Sequence, residues 1–522
     1  MERTIDEVKA SLIVNINKRV TDKVIEKQNA DTLIRFINTA QTIDDANFIY
    51  TVGTKYKSTG FHFDFRKDKI DNDTIYYFQK NQKLSFQPTN KNGLTHKLVI
   101  GDNYKALLNL LIEYRGKIDV IYIDPPYGVN SMGEFADTNY ENNISRDNLL
   151  SMLQTRLLIA KELLSDSGVI FCSIDDKNQA YVKCLFDDVF GEENFLTMFV
   201  RKTKSMTGDD GNGLNIQHEY LLTYAKYKAK MTFIGDVKTF DAYSNPDNDS
   251  NGIWTSADPS AKSGSESTYF PIENPITGQI DYPPKGRYWA FSKETLKMYI
   301  DSGRIKFKTT ITKNQRGFTF KRYAESMQIT TEVVNTLCFD NNIYMNSAAT
   351  AEINNIVGAG NVSYPKPVEY IKDLIKFTSN KNSVVLDFFA GSGTTGQAVM
   401  ELNKSDGGQR KFVLVQLPET LDKNSKNSTI KNAFEFTQKY KLDSNLASIT
   451  AARLKRVMTG NCYDGSTDFK WNEKNTPYGD GLDVYNIASV SAMANQQGQM
   501  PFNVIDETLY GKEKLNINDK ID

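Results

Sequence analysis

The sequence predicts an α/β protein: a doubly wound, mostly parallel sheet with helices on both faces, interrupted by an inserted unit and preceded by a helical region. Three observations predict it. Apolar β-branched runs alternate with Leu-rich helical runs between His96 and Gly191, and the alternation resumes after Pro367. From 201 to about 335 that rhythm is lost in sequence rich in Gly, Asp, Ser and Asn. The first fifty residues place Ile5, Val8, Leu12, Ile16, Val20 and Val24 near helical spacing, with no proline or glycine among them.

A chain of 522 residues has room for about two to four domains. Its 39% hydrophobic and 24% charged residues place it with soluble globular proteins and exclude global disorder. No apolar run approaches the roughly 18 residues of a membrane span, and MERTIDEVKA lacks the basic and apolar stretches of a signal peptide. A cytoplasmic protein is expected. Its four cysteines are far apart and it has only three histidines, so neither a metal site nor a disulfide framework is expected.

In chain order, residues 1–58 read as a packing or dimerising pair of helices. The pieces GFHFDF, TIYYFQK and KLSFQP, separated by Asn, Asp and Lys, read as short antiparallel strands. The first half of the α/β core is expected over 59–200. There the strand KLVI enters Gly101-Asp102-Asn103, the helix YKALLNLLIEY ends at Gly116, and the buried strand IDVIYI stops at Asp124. A helix around LLSMLQTRLLIAKELL, the strand VIFCSI and a helix ending near Gly191 follow. The insertion is expected over 201–350 and the second half of the core over 351–460. That half holds the helix VEYIKDLIKFT, the strand SVVLDFFA, the turn GSGTTG, the helix GQAVMELN, the strand KFVLVQL and helical ASITAARLKRVM. An acidic region, 461–522, closes the chain.

Gly391-Ser392-Gly393-Thr394-Thr395-Gly396 fits G-x-G-x-x-G between a strand and a helix. Glycines let the backbone turn tightly and approach a ligand, while the helix start offers free N–H groups. Alone, the turn is equally compatible with a dinucleotide site, another adenosine-containing cofactor, or no ligand. Asp387 suits an ammonium group and one of Phe388 and Phe389 suits adenine, the other being core. A dinucleotide site calls for an acid at the end of the next strand, whereas KFVLV ends at Gln416, with Glu419 three residues on. Gln416 can bond a ribose diol, but without charge.

Asp124-Pro125-Pro126-Tyr127 ends a buried strand. Two prolines fix φ and remove two donors, so the loop is rigid and its carbonyls project outward. A carboxylate, a rigid carbonyl and an aromatic plane suit a flat heterocycle with an exocyclic amine. Asp124 and the Pro125 carbonyl would each accept an amino hydrogen while Tyr127 stacks on the ring. Holding both hydrogens out of conjugation returns nucleophilic density to the nitrogen.

Together the two motifs resemble those of the amino-methylating DNA methyltransferases that use S-adenosylmethionine. The catalytic motif comes first and the cofactor motif some 260 residues later, the order of the circularly permuted β class. The resemblance implies a permuted Rossmann-like core with an inserted α+β target-recognition domain over 201–350. Finer matches, among them GDNYKALLNLLIEYRGKIDVIYIDPPYG, NIQHEYLLTYAK, SYPKPVEYI and FNVIDETLYG, resemble the modification subunit of type III restriction-modification systems. Carried over, it makes Asp124, Pro125, Pro126 and Tyr127 catalytic. Asp102, Lys366, Asp387, Phe388, Phe389, Gly391, Ser392, Gly393, Thr394 and Gln416 would line the cofactor site, with Phe389 favoured for adenine. Asp rather than Ser at the head of the catalytic motif favours adenine N6 over cytosine N4, which stays as the alternative. The implied partners are double-stranded DNA, a second copy in a homodimer, and a helicase-nuclease restriction subunit; a solitary enzyme and, more distantly, an oxidoreductase remain alternatives. Direct transfer onto a base flipped out of the duplex is the implied mechanism.

The whole chain carries 63 Lys and Arg against 64 Asp and Glu, yet residues 285–322 hold eleven cations against Glu294 and Asp301, a net of +9. Lys285, Arg287, Arg304, Lys306, Lys308, Arg316, Lys321 and Arg322, interleaved with aromatics, are the expected DNA contacts, with Lys202 and Lys204 at the border. The last sixty-odd residues carry five Lys against ten acids, which argues against DNA contact there. His218-Glu219-Tyr220 reads as strand packing.

Overall fold

The computed structural model describes residues 4–21, 27–54, 73–126, 145–205, 213–327 and 331–493, with 500, 501 and 505. Tyr127 and GFHFDF lie outside the described residues. The chain divides into two compact units, Met1–Thr232 with Asn335–Asp522, and Phe233–Val334.

The first unit starts with α1 (Ile5–Thr21), α2 (Lys27–Thr39) and α3 (Ile43–Thr54). Val8, Leu12 and Ile16 of α1 share one stripe and bury against Ala30, Leu33 and Ile37 of α2 and Ala46 of α3. Three helices stand where a pair was expected. The third begins at Thr42, whose hydroxyl accepts from the Asp45 N–H at 3.1 Å, a capping signal that spacing alone overlooks.

The core continues with β1 (Thr74–Lys80), β2 (Thr95–Ile100), α4 (Asn103–Tyr114), β3 (Ile118–Ile123), α5 (Ser145–Leu163), β4 (Leu164–Ile174), α6 (Gln179–Phe190), β5 (Phe195–Lys202) and β6 (His218–Ala225). The second unit is built from short strands: β7 (Trp254–Ser256), β8 (Ser260–Ala261), β9 (Ile272–Glu273), β10 (Ile280–Asp281) and β11 (Tyr288–Trp289). It is completed by α7 (Lys293–Asp301), β12 (Ile305–Phe307) and β13 (Phe318–Tyr323). The chain then supplies α8 (Asn346–Val357), α9 (Val368–Thr378), β14 (Val384–Asp387), α10 (Thr394–Asp406), β15 (Lys411–Gln416), α11 (Ser428–Lys439), α12 (Leu446–Thr459) and β16 (Gly481–Ser491).

Nine strands form one sheet in the order β1-β16-β2-β15-β14-β3-β4-β6-β5. The run from β16 to β4 is parallel, while β1 and the β6-β5 pair are antiparallel additions at its edges. Alternate residues explain why helices cover both faces. Val99, Ile121, Ile123, Ile170, Cys172, Leu386, Val413 and Val415 pack with α4, α5 and α6. Their neighbours Leu98, Val120, Tyr122, Phe171, Val385, Phe412 and Leu414 are equally buried, and α9, α10 and α12 lie against β3 and β15. From β14 the chain crosses through α10 to β15, and from β3 through α5 to β4 on the other side. The carboxyl ends of β14 and β3 are therefore a topological switch point, where open α/β sheets bind ligands.

Two expected boundaries move. The inserted unit is narrower than 201–350, because LTMFVRK and HEYLLTYA pair as β5 and β6 and extend the core sheet. The acidic region 461–522 is not wholly peripheral, since β16 lies inside the sheet between β1 and β2. Among the described residues no helix is long and apolar enough to cross a membrane, and no three His, Cys, Asp or Glu gather as metal ligands.

Candidate active site

A cavity of about 640 Å³ opens at the switch point. The ends of β3, β14 and β15 line it, together with the segment 362–366 and the start of β6. Of the residues singled out in the sequence, Asp124, Pro125, Pro126, Lys366, Asp387, Phe388, Phe389, Gly391, Ser392, Thr394 and Gln416 line it, whereas Gly393 does not.

The glycine turn is built by strain that only glycine tolerates cheaply. Gly391 has φ 52° and Gly393 φ 84°, the latter capping α10 in the left-handed region. Asp387 holds the turn from below: its carboxylate accepts from the Phe389 N–H at 2.9 Å and the Thr395 hydroxyl at 2.5 Å. Burial pushes its pKa up to about 7 and Asp124 adds to the rise, while these two hydrogen bonds oppose it. Phe388 is 1% exposed and belongs to the core, whereas Phe389 is half-buried at the cavity wall. Gln416 is spent on the turn, since its Oε1 accepts from the Gly391 N–H at 2.6 Å and its Nε2 donates to the Leu417 carbonyl at 3.1 Å. Glu419 also lines the cavity.

Helix α12 braces the turn from behind, which its sequence does not announce. The Thr450 hydroxyl donates to the Gly391 carbonyl at 2.5 Å. The Arg453 guanidinium, 1% exposed, donates to the hydroxyls of Ser392 at 2.9 Å and Thr394 at 2.8 Å and to Gln397 Oε1 at 2.8 and 3.0 Å. Gln397 in turn donates to Glu352 of α8 at 2.5 Å. Burial lowers the Arg453 pKa to about 10, partly opposed by Glu352.

On the other wall, Lys366 Nζ bridges both oxygens of Asp124, at 2.8 and 2.7 Å. Lys366 thus stands on the Asp124 carboxylate, where the resemblance placed it beside the cofactor. It also lies 3.5 Å from Glu219, whose other oxygen accepts from Arg201 Nε at 2.8 Å. Arg201 is fixed further by the Tyr344 carbonyl at 2.6 Å and Asn346 Oδ1 at 2.9 Å. Burial alone would raise the Glu219 pKa, but Lys366 and Arg201 outweigh it and hold the pKa below the usual carboxylate value. His218-Glu219-Tyr220 stands in β6 as read from the sequence, and Glu219 in addition lines the cavity. Arg201 and Glu219 face each other across β5 and β6, on buried positions in phase with Phe199 and Leu221. Charge on a core-facing strand position is the signal that could have found them.

Asp102 does not line the cavity; it caps α4 through the Lys105 N–H at 3.2 Å and pairs with Arg156 at 3.1 Å. Its neighbour Asn103 does line it, donating to the Phe388 carbonyl at 2.9 Å.

In the second unit the +9 segment is partly neutralised. Phe233–Val334 as a whole holds thirteen Lys and Arg against twelve Asp and Glu. Lys306 pairs with Asp247 at 2.6 Å, while Arg287 and Arg316 pair with Asp258 at 3.2 and 3.0 Å. Lys321, 2% exposed, is clamped by Asp247 and Asp249, so it holds the fold and is not an exposed phosphate contact. Trp289, Phe291 and Phe318, three of the aromatics interleaved with these cations, form the unit's core with Phe270, Ile272 and Ile305. Arg304 lies over the Tyr299 and Phe320 rings and Lys308 donates to Gln315. Among the described residues, exposed Lys285, Lys297, Lys313 and Arg322 make no ion pair. At the border, Lys202 is half-buried at the end of β5 and Lys204 is exposed.

The fold and cavity define a doubly wound α/β protein with a glycine turn and a rigid acidic turn facing one crevice. Residues 118–419 match the DNA methylase family model (N6_N4_Mtase), and the chain belongs to that family. Residues 2–120 match a model described as an uncharacterised conserved protein. The EcoPI Mod subunit, a type III restriction-modification enzyme of Escherichia phage P1, is 31% identical over 415 residues, 68% of this chain and 62% of that protein. The StyLTI Mod subunit of Salmonella typhimurium is 30% identical over 64% of this chain and 54% of its own length. This chain thus spans a little over half of these two relatives. The type II methyltransferase M.KpnI of Klebsiella pneumoniae is 30% identical over 76% of this chain and 94% of its own.

Proposed function

We propose that this chain is a site-specific DNA adenine N6 methyltransferase that takes its methyl group from S-adenosylmethionine and serves as the modification subunit of a restriction-modification system. One observation carries the reading: a single cavity holds both the Asp124-Pro125-Pro126 turn and the glycine turn. The residues fit the cofactor. The glycine turn leaves backbone open to a nucleoside, Phe389 offers a ring to adenine, and Glu419 offers a carboxylate to the ribose hydroxyls. When bound, the sulfonium supplies an activated methyl group. Asp124 and the Pro125 carbonyl hold the amino hydrogens of a flipped adenine, and Tyr127 stacks on its ring. We read the placement of β3 ahead of β14 in the chain as a circular permutation.

Incubating the protein with S-adenosylmethionine and unmethylated genomic DNA, then digesting to nucleosides, tests the assignment. N6-methyladenine is the expected product; N4-methylcytosine without it would overturn the choice of base. Glu419→Ala is expected to weaken S-adenosylmethionine binding about tenfold in calorimetry, the loss of one good hydrogen bond to a charged group.

The second unit is our candidate for target recognition, and four of its exposed cations that make no ion pair carry that proposal. Replacing Lys285, Lys297, Lys313 and Arg322 by Gln should weaken DNA binding and flatten its salt dependence by about one unit of slope for each phosphate no longer neutralised, measured by fluorescence anisotropy. An unchanged slope would place the DNA elsewhere. A homodimer and a helicase-nuclease partner belong to the same reading. Exposed Phe36 and Phe48 on α2 and α3 support the former, which sedimentation of the purified chain tests.

A further inference from the structure

Asp124 is one end of a row of four charges of alternating sign, Asp124, Lys366, Glu219 and Arg201, contributed by the end of β3, the segment before α9, β6 and β5. Lys366 is 10% and Glu219 9% exposed on their side chains, and Arg201 1%, so water screens the row little. Such a row is expensive to bury, and Arg201 is anchored at three further points although it does not line the cavity.

We infer that Glu219 is a positioning residue for methyl transfer, holding the Lys366 ammonium on Asp124 while offsetting its field so that Asp124 stays basic enough to take a proton. This rests on the adenine reading above. In the reaction the amino nitrogen gains the methyl, the sulfonium sulfur keeps the electron pair of the broken carbon–sulfur bond, and the nitrogen sheds a proton. Asp124 is the acceptor within reach. A carboxylate has about four lone-pair sites, so it can keep Lys366 and still accept from the base. An unopposed ammonium would keep Asp124 ionised but make it a poor base. Glu219 removes part of that field, and Arg201 keeps Glu219 ionised and aimed. Among the described residues, the titratable and charged groups around Glu219 are Arg201 from β5, Lys366 from the segment before α9, Tyr370 from α9, Tyr122 from β3 and Asp124 at its end. Burial raises the pKa of both tyrosines, which keeps them neutral.

The test is Glu219→Gln in the full chain, with S-adenosylmethionine and unmethylated genomic DNA. Removing a negative charge lowers the pKa of both neighbours. The acidic and basic limbs of the rate profile should each move down by about one pH unit, with the plateau rate falling about tenfold or more. Glu219→Asp, which retains the charge at a longer distance, should move the limbs less. A second readout needs no activity: in the protein alone, acetic anhydride labelling of Lys366, followed by mass spectrometry, should reach half-extent about one pH unit lower in E219Q. Limbs and labelling both unmoved would overturn the inference, as would a rate loss without limb movement, which marks a packing role. If E219Q does not fold, E219D carries the same comparison. If wild-type protein methylates no DNA, the adenine reading fails, and labelling still decides whether Glu219 controls Lys366.

Discussion

Asp124→Ala is expected to lower methyl transfer to DNA by about a thousandfold or more while leaving S-adenosylmethionine affinity within about threefold. The size follows from what the carboxylate does. In the proposed function it polarises the amine, stabilises the positive charge that grows on nitrogen, and receives the proton, and such electrostatic and general-base roles are each worth about a hundredfold or more. The fold should survive. Lys366 loses one partner but remains 3.5 Å from Glu219, so no buried cation is left without a counter-charge. Asp124→Asn keeps shape and loses charge, and should be nearly as slow. Single-turnover rates with tritiated cofactor, beside calorimetry of cofactor binding, separate the two effects. A variant within tenfold of wild type would mean that Asp124 neither polarises nor deprotonates the base.

The sequence made parts of this site readable because they are local. A strand that stops at Asp-Pro-Pro and a strand that stops at Asp-Phe-Phe-Ala-Gly each declare their own backbone geometry, and alternation of strand and helix declares the sheet between them. That β3 and β14 become neighbours across some 260 residues came only from the resemblance. What stayed hidden is pairwise and distant. Glu219 is ordinary until Arg201 stands opposite it and Lys366 arrives from the far side. The pairing within the basic segment was hidden for the same reason in reverse. Asp247, Asp249 and Asp258 lie before it in the chain but fold onto it, so a window from 285 to 322 counted the cations and missed their partners. Composition reports charge along the chain, whereas burial and pairing decide how much of it a ligand can use.

Arg453 is the residue whose loss should damage the cofactor half most. In ASITAARLKRVM it looks like the polar face of a surface helix, yet Ala447 to Met458 are buried almost throughout. Its guanidinium holds two hydroxyls of the glycine turn and the Gln397 amide oxygen together. Arg453→Met keeps much of the volume and removes every one of those donors. Buried hydroxyl and amide oxygens left unpaired cost about 1–3 kcal/mol each, so the folded state should lose about 3 kcal/mol or more, read from the urea midpoint. The turn should lose its fixed shape as well, because Gly391 and Gly393 hold left-handed conformations that their surroundings must impose. S-adenosylmethionine affinity should therefore fall about tenfold to a hundredfold, with the adenine half of the site untouched. Arg453→Lys is the informative control. A single ammonium keeps the charge but cannot fork to three partners, so it should restore part of the stability and little of the affinity. Full affinity in Arg453→Met would mean that the turn holds itself, through Asp387 below and Thr450 behind, and needs no third brace.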